Sequence, residues 1–227
     1  MRPSPTVPVA IVLGGLLVAY AVYASLGGTF SFGSTSQGNP SLVRAVGVAD
    51  HILGNPAAPV VIVEYCDFAS DYCKGFSDTL TQMVGNVGNR GAVAVVYRAF
   101  PLTEINRNAL AHARAAECVA KVGGNDAFWA FADLLFANQP ADSSRYGEFA
   151  KQANAPGEAF ATCYADAANQ VDARITADRK NAAEVGASGT PYSLILTKGR
   201  APVVVDGAYS YDALKMLVDD ALAKASQ

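Results

Sequence analysis

Histidine, basic runs and phosphate-binding loops are scarce or missing in this chain. Its 227 residues include only two histidines, His51 and His112, and neither stands in a spacing typical of a zinc site. Lysine and arginine form no cluster, the net charge is −3, and no glycine-rich phosphate loop is present. The sequence therefore predicts no metal site, no cofactor and no nucleic-acid partner.

Charge is absent from residues 7–26, which read VPVAIVLGGLLVAYAVYASL. At about 1.5 Å per residue, a helix of this length crosses a hydrocarbon core of about 30 Å. Arg2 precedes the segment, which predicts that residues 1–6 are cytoplasmic and that a single-pass anchor holds an extracytoplasmic domain at the cell membrane. A cleaved signal peptide, whose apolar core usually has about 7–15 residues, is the alternative, and it also predicts export.

Residues 27–41, GGTFSFGSTSQGNPS, also lack charge, and their glycine and serine content is typical of a flexible linker. The folded domain is therefore predicted to occupy residues 42–227. Within it, β-branched runs alternate with segments of helical periodicity. They predict strands at 59–65 and 92–100 around a helix from Ser70 to about Asn86, then about four or five helices over 105–186, a hairpin of 191–197 with 201–207, and a helix over 210–224. Breaks between the helices of 105–186 are predicted at Gly123-Gly124, Gln139-Pro140 and Ala155-Pro156-Gly157.

This order of elements predicts the fold class. A strand, a helix and a second strand form a βαβ unit with a parallel pair, and a hairpin with a final helix completes the sheet. The expected architecture is an α/β thioredoxin fold with a helical insertion at about 105–186.

Cysteine is also rare, with four residues at positions 66, 73, 118 and 163. An even number is compatible with two disulfides in an oxidising compartment. The stretch CDFASDYCKGF, residues 66–76, holds two of them around a predicted helix start.

Several blocks of this chain resemble DsbA-like thiol:disulfide oxidoreductases, in particular membrane-anchored bacterial members. The blocks are DHILGNPAAPVVIVEY, YRAFPL, GGNDAFWAFADLLFANQ and GTPYSLI, and the resemblance covers residues from about 43 to 222. Family members usually read F-x-C-P-Y-C at the active site, where this chain has F-A-S-D-Y-C. Ser70 thus replaces the first cysteine, and Asp71 replaces the proline.

The resemblance assigns roles around the helix start. In such enzymes the first cysteine attacks or accepts a substrate sulfur, and the second, here Cys73, resolves the mixed disulfide. Ser70 stands in the attacking position and is also a good helix N-cap. Asp71 places a negative charge near Cys73, which disfavours a thiolate there. Glu64 matches the buried acid that faces the resolving cysteine and manages its proton.

Cys66 suggests that the redox pair has shifted. Residues 60, 62, 64 and 66 share one face of a regular strand, so Cys66 points toward the same helix start as Glu64. A Cys66–Cys73 disulfide follows if the two Cα atoms lie within about 7 Å. The alternative is that Cys73 is a lone thiol that fills core space.

The resemblance implies two further features. Thr190-Pro191 matches the family's cis-proline loop, whose backbone pairs with an extended substrate peptide, and Tyr72 is a second substrate-binding candidate. An ordinary trans proline that opens a strand is the alternative. Cys118 and Cys163 correspond to a structural disulfide within the helical insertion, with two buried free thiols as the alternative.

We therefore expect a thiol-disulfide oxidoreductase that acts on exported cysteine-containing polypeptides through Cys73 and Cys66. A quinone-linked membrane thiol oxidase or a membrane reductase is the expected recycling partner, by resemblance. Three alternatives remain: a peptide-binding holdase or scaffold without turnover, a glutathione-binding relative that uses Ser70 as kappa-class glutathione transferases do, and a peroxiredoxin-like protein.

Overall fold

The computed structural model describes residues 38–88 and 91–226. Five strands form one sheet in the order β1-β3-β2-β4-β5. Strands β2 and β3 are parallel, and the other neighbouring pairs are antiparallel. The strands are β1 (His51–Gly54), β2 (Val60–Cys66), β3 (Val93–Ala99), β4 (Tyr192–Thr197) and β5 (Val203–Asp206).

The first helix, α1 (Asp71–Asn86), crosses from β2 to β3. Ser70 caps it, and Asp71 lies in its first turn, where a negative charge complements the helix dipole. Phe76, Leu80 and Met83 are buried and face the sheet. Both central strands are largely buried because helices cover each side of the sheet.

All the regular secondary structure in the insertion between β3 and β4 is helical. Gly124, with φ 81° and ψ −171°, interrupts the long helix α2, and α2 ends before the cis Gln139-Pro140 bond. Cys118 of α2 and Cys163 of α4 form a disulfide across a sequence separation of 45. The helices are α2 (Ala109–Ala137), α3 (Tyr146–Gln152), α4 (Gly157–Ala165), α5 (Ala167–Gln170) and α6 (Asp172–Val185).

The hairpin of β4 and β5 and the last helix, α7 (Tyr211–Ala225), complete the domain. The predicted thioredoxin fold with a helical insertion is therefore confirmed, and its breaks fall where Gly124, Pro140 and Gly157 indicated them. Sequence reasoning missed β1. His51 is part of this strand and pairs with Tyr97 of β3.

The predicted anchor at residues 7–26 lies outside the residues that the structure describes. Among the described residues, no helix is both long enough and apolar enough to cross a membrane.

Candidate active site

Cys66 and Cys73 form a disulfide at the carboxyl end of β2. Cys66 is the last residue of the strand, and Cys73 lies in the first turn of α1. The S–S distance is 2.03 Å and the Cα atoms are 6.0 Å apart, which meets the geometric requirement for the shifted pair. Both cysteines have an exposed fraction of 0%.

Glu64 lies beside this disulfide, as the strand alternation indicated. The donor atoms of Glu64, Cys66 and Cys73 are all within 4.8 Å of one another. Glu64 is buried, and its Oε1 has no hydrogen-bond partner among the described residues. Burial raises the pKa of Glu64 to about 8, because a carboxylate loses its solvation there. At neutral pH this side chain is therefore mostly an uncharged acid.

The surroundings of Cys73 differ from the expectation based on Asp71. The backbone N–H of Asp67 donates to Cys73 Sγ at 3.2 Å, and Cys73 stands at the amino-terminal end of α1. Both features favour a thiolate, whereas the complete burial of Cys73 disfavours one, as its position in the family predicted; the Asp71 side chain is exposed to solvent. Ser70 acts as the N-cap, because its Oγ accepts a hydrogen bond from the Cys73 N–H at 3.3 Å.

Residues 67–70, called here the capping loop, connect Cys66 at the end of β2 to the start of α1. The buried Asp67 carboxylate accepts hydrogen bonds from the N–H of Ala69 at 2.8 Å, the N–H of Leu102 at 3.0 Å and Asn106 Nδ2 at 3.2 Å. These bonds tie the capping loop to the segment that follows β3.

Gln139 holds the capping loop from the insertion side. Its Nε2 donates to the carbonyl oxygen of Phe68 at 2.7 Å and to that of Ser70 at 3.3 Å. Sequence reasoning missed both Asp67 and Gln139. The only local signals were that Asp67 adjoins Cys66 and that Gln139 precedes a proline.

The Thr190-Pro191 bond is cis. The antiparallel ladder between β2 and β4 ends at the pair Tyr65 and Tyr192, so the next positions along the two strands are Cys66 and Pro191. The fold thus brings the predicted proline loop level with the disulfide. Pro191 is buried and Thr190 is half-buried.

The surface around the disulfide carries both apolar and polar groups. Tyr72 is 73% exposed and Ile105 is 76% exposed. A groove of about 650 Å³ opens beside the first turn of α1, and its lining includes Asp71, Arg107 and Gln139. The groove therefore offers both apolar and polar contacts.

The two histidines have structural contacts. His51 Nε2 lies 2.9 Å from Glu117 Oε1, and the His51 ring stacks on Phe128 with centroids 3.7 Å apart. His112 contacts the hydroxyl of the buried Tyr146, and burial lowers the pKa of His112. Neither belongs to the set of donor atoms around the disulfide.

Comparison with known proteins agrees with this architecture. The sequence model of a family described as "Thioredoxin" matches residues 47–220. BdbD from Bacillus subtilis in its oxidised form has a TM-score of 0.66 at 22% identity, covering 77% of this chain and 93% of that one. Wolbachia pipientis alpha-DsbA1 has a TM-score of 0.69 at 21% identity, covering 82% and 97%. The catalytic domain of Proteus mirabilis ScsC has a TM-score of 0.63 at 20% identity, covering 81% and 94%.

Curated relatives are longer proteins. The Na(+)/H(+) antiporter NhaA 3 of Salinispora tropica is 34% identical over 180 residues, which make up 78% of this chain and 25% of that protein. The NhaA 1 antiporter of Salinispora arenicola is 33% identical over 178 residues, with 77% and 25% covered. This chain thus spans about a quarter of the length of these relatives. The antiporter activity in their names is a property of those longer proteins.

Proposed function

Because the chain belongs to this thioredoxin family and has the fold of DsbA-type oxidoreductases, we propose that it exchanges thiols and disulfides through Cys66 and Cys73. The observation that carries the proposal is their disulfide, which lies at the start of α1 and beside the buried acid Glu64. The pair thus replaces the usual C-x-x-C, and Ser70 caps the helix.

The environment of the sulfurs suggests the order of the steps. A substrate thiolate attacks Cys66 Sγ, a mixed disulfide forms there, and Cys73 leaves as the thiolate that the Asp67 N–H stabilises. Glu64, protonated below its pKa of about 8, can give its proton to the departing sulfur. A second substrate thiolate then attacks the substrate sulfur of the mixed disulfide. Cys66 is released as a thiolate, and the substrate dithiol, which has become a disulfide, has passed two electrons to the pair.

We propose exported cysteine-containing polypeptides as substrates and an extracytoplasmic, membrane-anchored location, with residues 7–26 as the anchor. The Thr190 backbone would pair with an extended substrate, and the exposed Tyr72 would contact its side chains. A quinone-linked membrane thiol oxidase or a membrane reductase would return the pair to its starting state.

Trapping tests this assignment. Cys73→Ser leaves Cys66 without a resolving thiol, so we expect it to accumulate a mixed disulfide with an oxidised cysteine peptide, visible as an added mass on the Cys66 peptide. Cys66→Ser should accumulate far less. Cys118→Ser is the matched control, because it leaves Cys163 unpaired outside the site. Trapping only in Cys66→Ser would reverse the roles, and trapping in neither variant would contradict the redox function.

The complete burial of both sulfurs favours a second candidate, a peptide-binding module in which the Cys66–Cys73 disulfide is structural. Such a protein binds peptides through the groove beside α1 and the Thr190-Pro191 loop but does not catalyse thiol-disulfide exchange. It predicts that unfolded cysteine-free chains bind the wild-type protein and that no mixed disulfide forms under native conditions.

A further inference from the structure

The acid and the two sulfurs at the end of β2 form a compact set of donor atoms. Glu64, Cys66 and Cys73 come from one strand and one helix start, and their donor atoms are all within 4.8 Å of one another. The sequence predicted no metal site, because two isolated histidines and a C-x6-C spacing of Cys66 and Cys73 do not form one. The fold adds Glu64 as a third donor.

The buried carboxyl group of this set has an oxygen without a partner in the part of the chain that the structure describes. Glu64 is only 2% exposed, and its Oε1 accepts no hydrogen bond from the described residues. Buried polar atoms are nearly always partnered, so a missing partner calls for an explanation such as a bound ion. In the oxidised protein both sulfurs are held in the disulfide and cannot act as thiolate ligands.

We propose that reduction of the Cys66–Cys73 disulfide creates a site for one Zn²⁺, with the two thiolates and the Glu64 carboxylate as ligands. Zinc accepts sulfur and carboxylate oxygen together, with bonds of about 2.3 Å and about 2.0–2.2 Å. The site rests on the proposed function in one respect, because the pair must be reducible in the folded protein.

The chemistry balances with an external dithiol as the reductant. The disulfide takes two electrons and two protons from the dithiol and becomes two thiols, and the reductant becomes a disulfide. Zinc then displaces the protons of both thiols and of the Glu64 carboxyl into the solvent and binds the two thiolates and the carboxylate. The N–H of Asp67, which donates to Cys73 Sγ at 3.2 Å, is placed to support a zinc-bound thiolate.

Three protein ligands leave one of the four usual zinc positions open. The nearby Asp67 carboxylate does not fill it, because its oxygens already accept bonds from Ala69, Leu102 and Asn106. A water or an incoming thiolate can take this position. Redox state would thus switch the protein between a disulfide form and a zinc form.

Metal binding to the full chain tests this site without any activity assay. The protein is reduced with dithiothreitol, freed of reductant without air, and titrated with Zn²⁺ against a chromophoric chelator. We expect the reduced form to take up one equivalent and the oxidised form none. Co²⁺ in place of Zn²⁺ should give a thiolate charge-transfer band in the near ultraviolet.

Variants separate the ligands. Glu64→Gln keeps the volume of the side chain and should weaken Zn²⁺ binding by at least about 10–100-fold, while Cys66→Ser should remove the cobalt band. The double variant Cys118→Ser with Cys163→Ser is the control and should still bind one equivalent.

Thiol counting separates the two proposals. If alkylation shows Cys66 and Cys73 free but the protein takes up no zinc, the zinc site is wrong and the redox function stands. If the pair cannot be reduced in the folded protein, both proposals fail. Equal zinc binding by wild type and Glu64→Gln would also overturn the site.

Discussion

Glu64 is a buried acid whose protonation links the folding of the protein to pH. Burial raises its pKa from an ordinary value of 4.5 to about 8, and no described residue donates a hydrogen bond to its Oε1. Between these two pH values the folded protein keeps a proton that the unfolded chain has released. Folding is therefore linked to proton uptake at this side chain.

Stability should consequently fall as pH rises. The stabilisation that comes from the protonated Glu64 is fully present below about pH 4.5. It is lost as the pH rises toward 8, at up to about 1.4 kcal/mol of unfolding free energy per pH unit. Glu64→Gln removes the titrating group. We therefore expect the unfolding free energy of the variant, relative to that of the wild type, to increase steadily between about pH 5 and pH 8. Urea unfolding of the oxidised proteins across this range measures the difference.

Ser193→Ala is the matched control for this measurement. Ser193 is buried opposite Glu64 in the sheet but binds no proton, so its effect on stability should stay constant with pH. A constant difference for Glu64→Gln as well would show that Glu64 titrates near its ordinary pKa.

At the scale of elements, the capping loop connects the two cysteines of the disulfide. Because both cysteines are completely buried, the proposed exchange requires local opening, and we expect residues 67–70 to move in it. The Gln139 amide opposes that movement from the insertion through its bonds to the carbonyl oxygens of Phe68 and Ser70. We therefore expect this contact from the helical insertion to slow opening of the site.

Gln139→Ala should speed reduction of the Cys66–Cys73 disulfide by dithiothreitol about tenfold. Each lost hydrogen bond favours the open loop by about 0.5–1.5 kcal/mol. Timed alkylation with mass spectrometry measures the rate. Asn138→Ala is the control, because the Asn138 side chain bonds to Leu134 and Arg145 and not to the capping loop. A wild-type rate in Gln139→Ala would mean that the opening does not involve this contact.

Across the whole molecule, sequence reasoning succeeded where the signal was local. The β-branched runs of β2 and β3, the breaks at Gly124 and Gly157, and the alternation that turns Glu64 and Cys66 to one face are all local patterns. Strand alternation also led to the Cys66–Cys73 pair, because it placed Cys66 on the side of the helix start.

The features that sequence reasoning missed depend on distant segments. Strand β1 has only four residues and is defined by its pairing with β3. Gln139 lies 71 residues from Phe68, whose carbonyl oxygen it binds. The Asp67 N–H that donates to Cys73 Sγ is directed there by the bend between β2 and α1. No periodicity in the sequence encodes such contacts.

The segment just before β1 joins the central sheet to α6. Arg44 Nη2 lies 2.7 Å from Oδ1 of the buried Asp178. The carbonyl oxygen of Arg44 accepts a hydrogen bond from the buried Arg98 at 2.9 Å. Asn181 binds both the Arg44 N–H and the Leu42 carbonyl oxygen. The segment therefore partners buried charges on a strand and on a helix.

A chain that begins at residue 38 should therefore be more stable than one that begins at residue 46. Losing Arg44 leaves the Asp178 carboxylate buried with one cation fewer, and Arg98 loses an acceptor, which together should cost about 3 kcal/mol. Urea unfolding of the two chains measures the cost, and Arg44→Ala in the longer chain should show a part of it. Equal unfolding midpoints would mean that water replaces these contacts without loss, and that the domain is held together by the sheet and its helices alone.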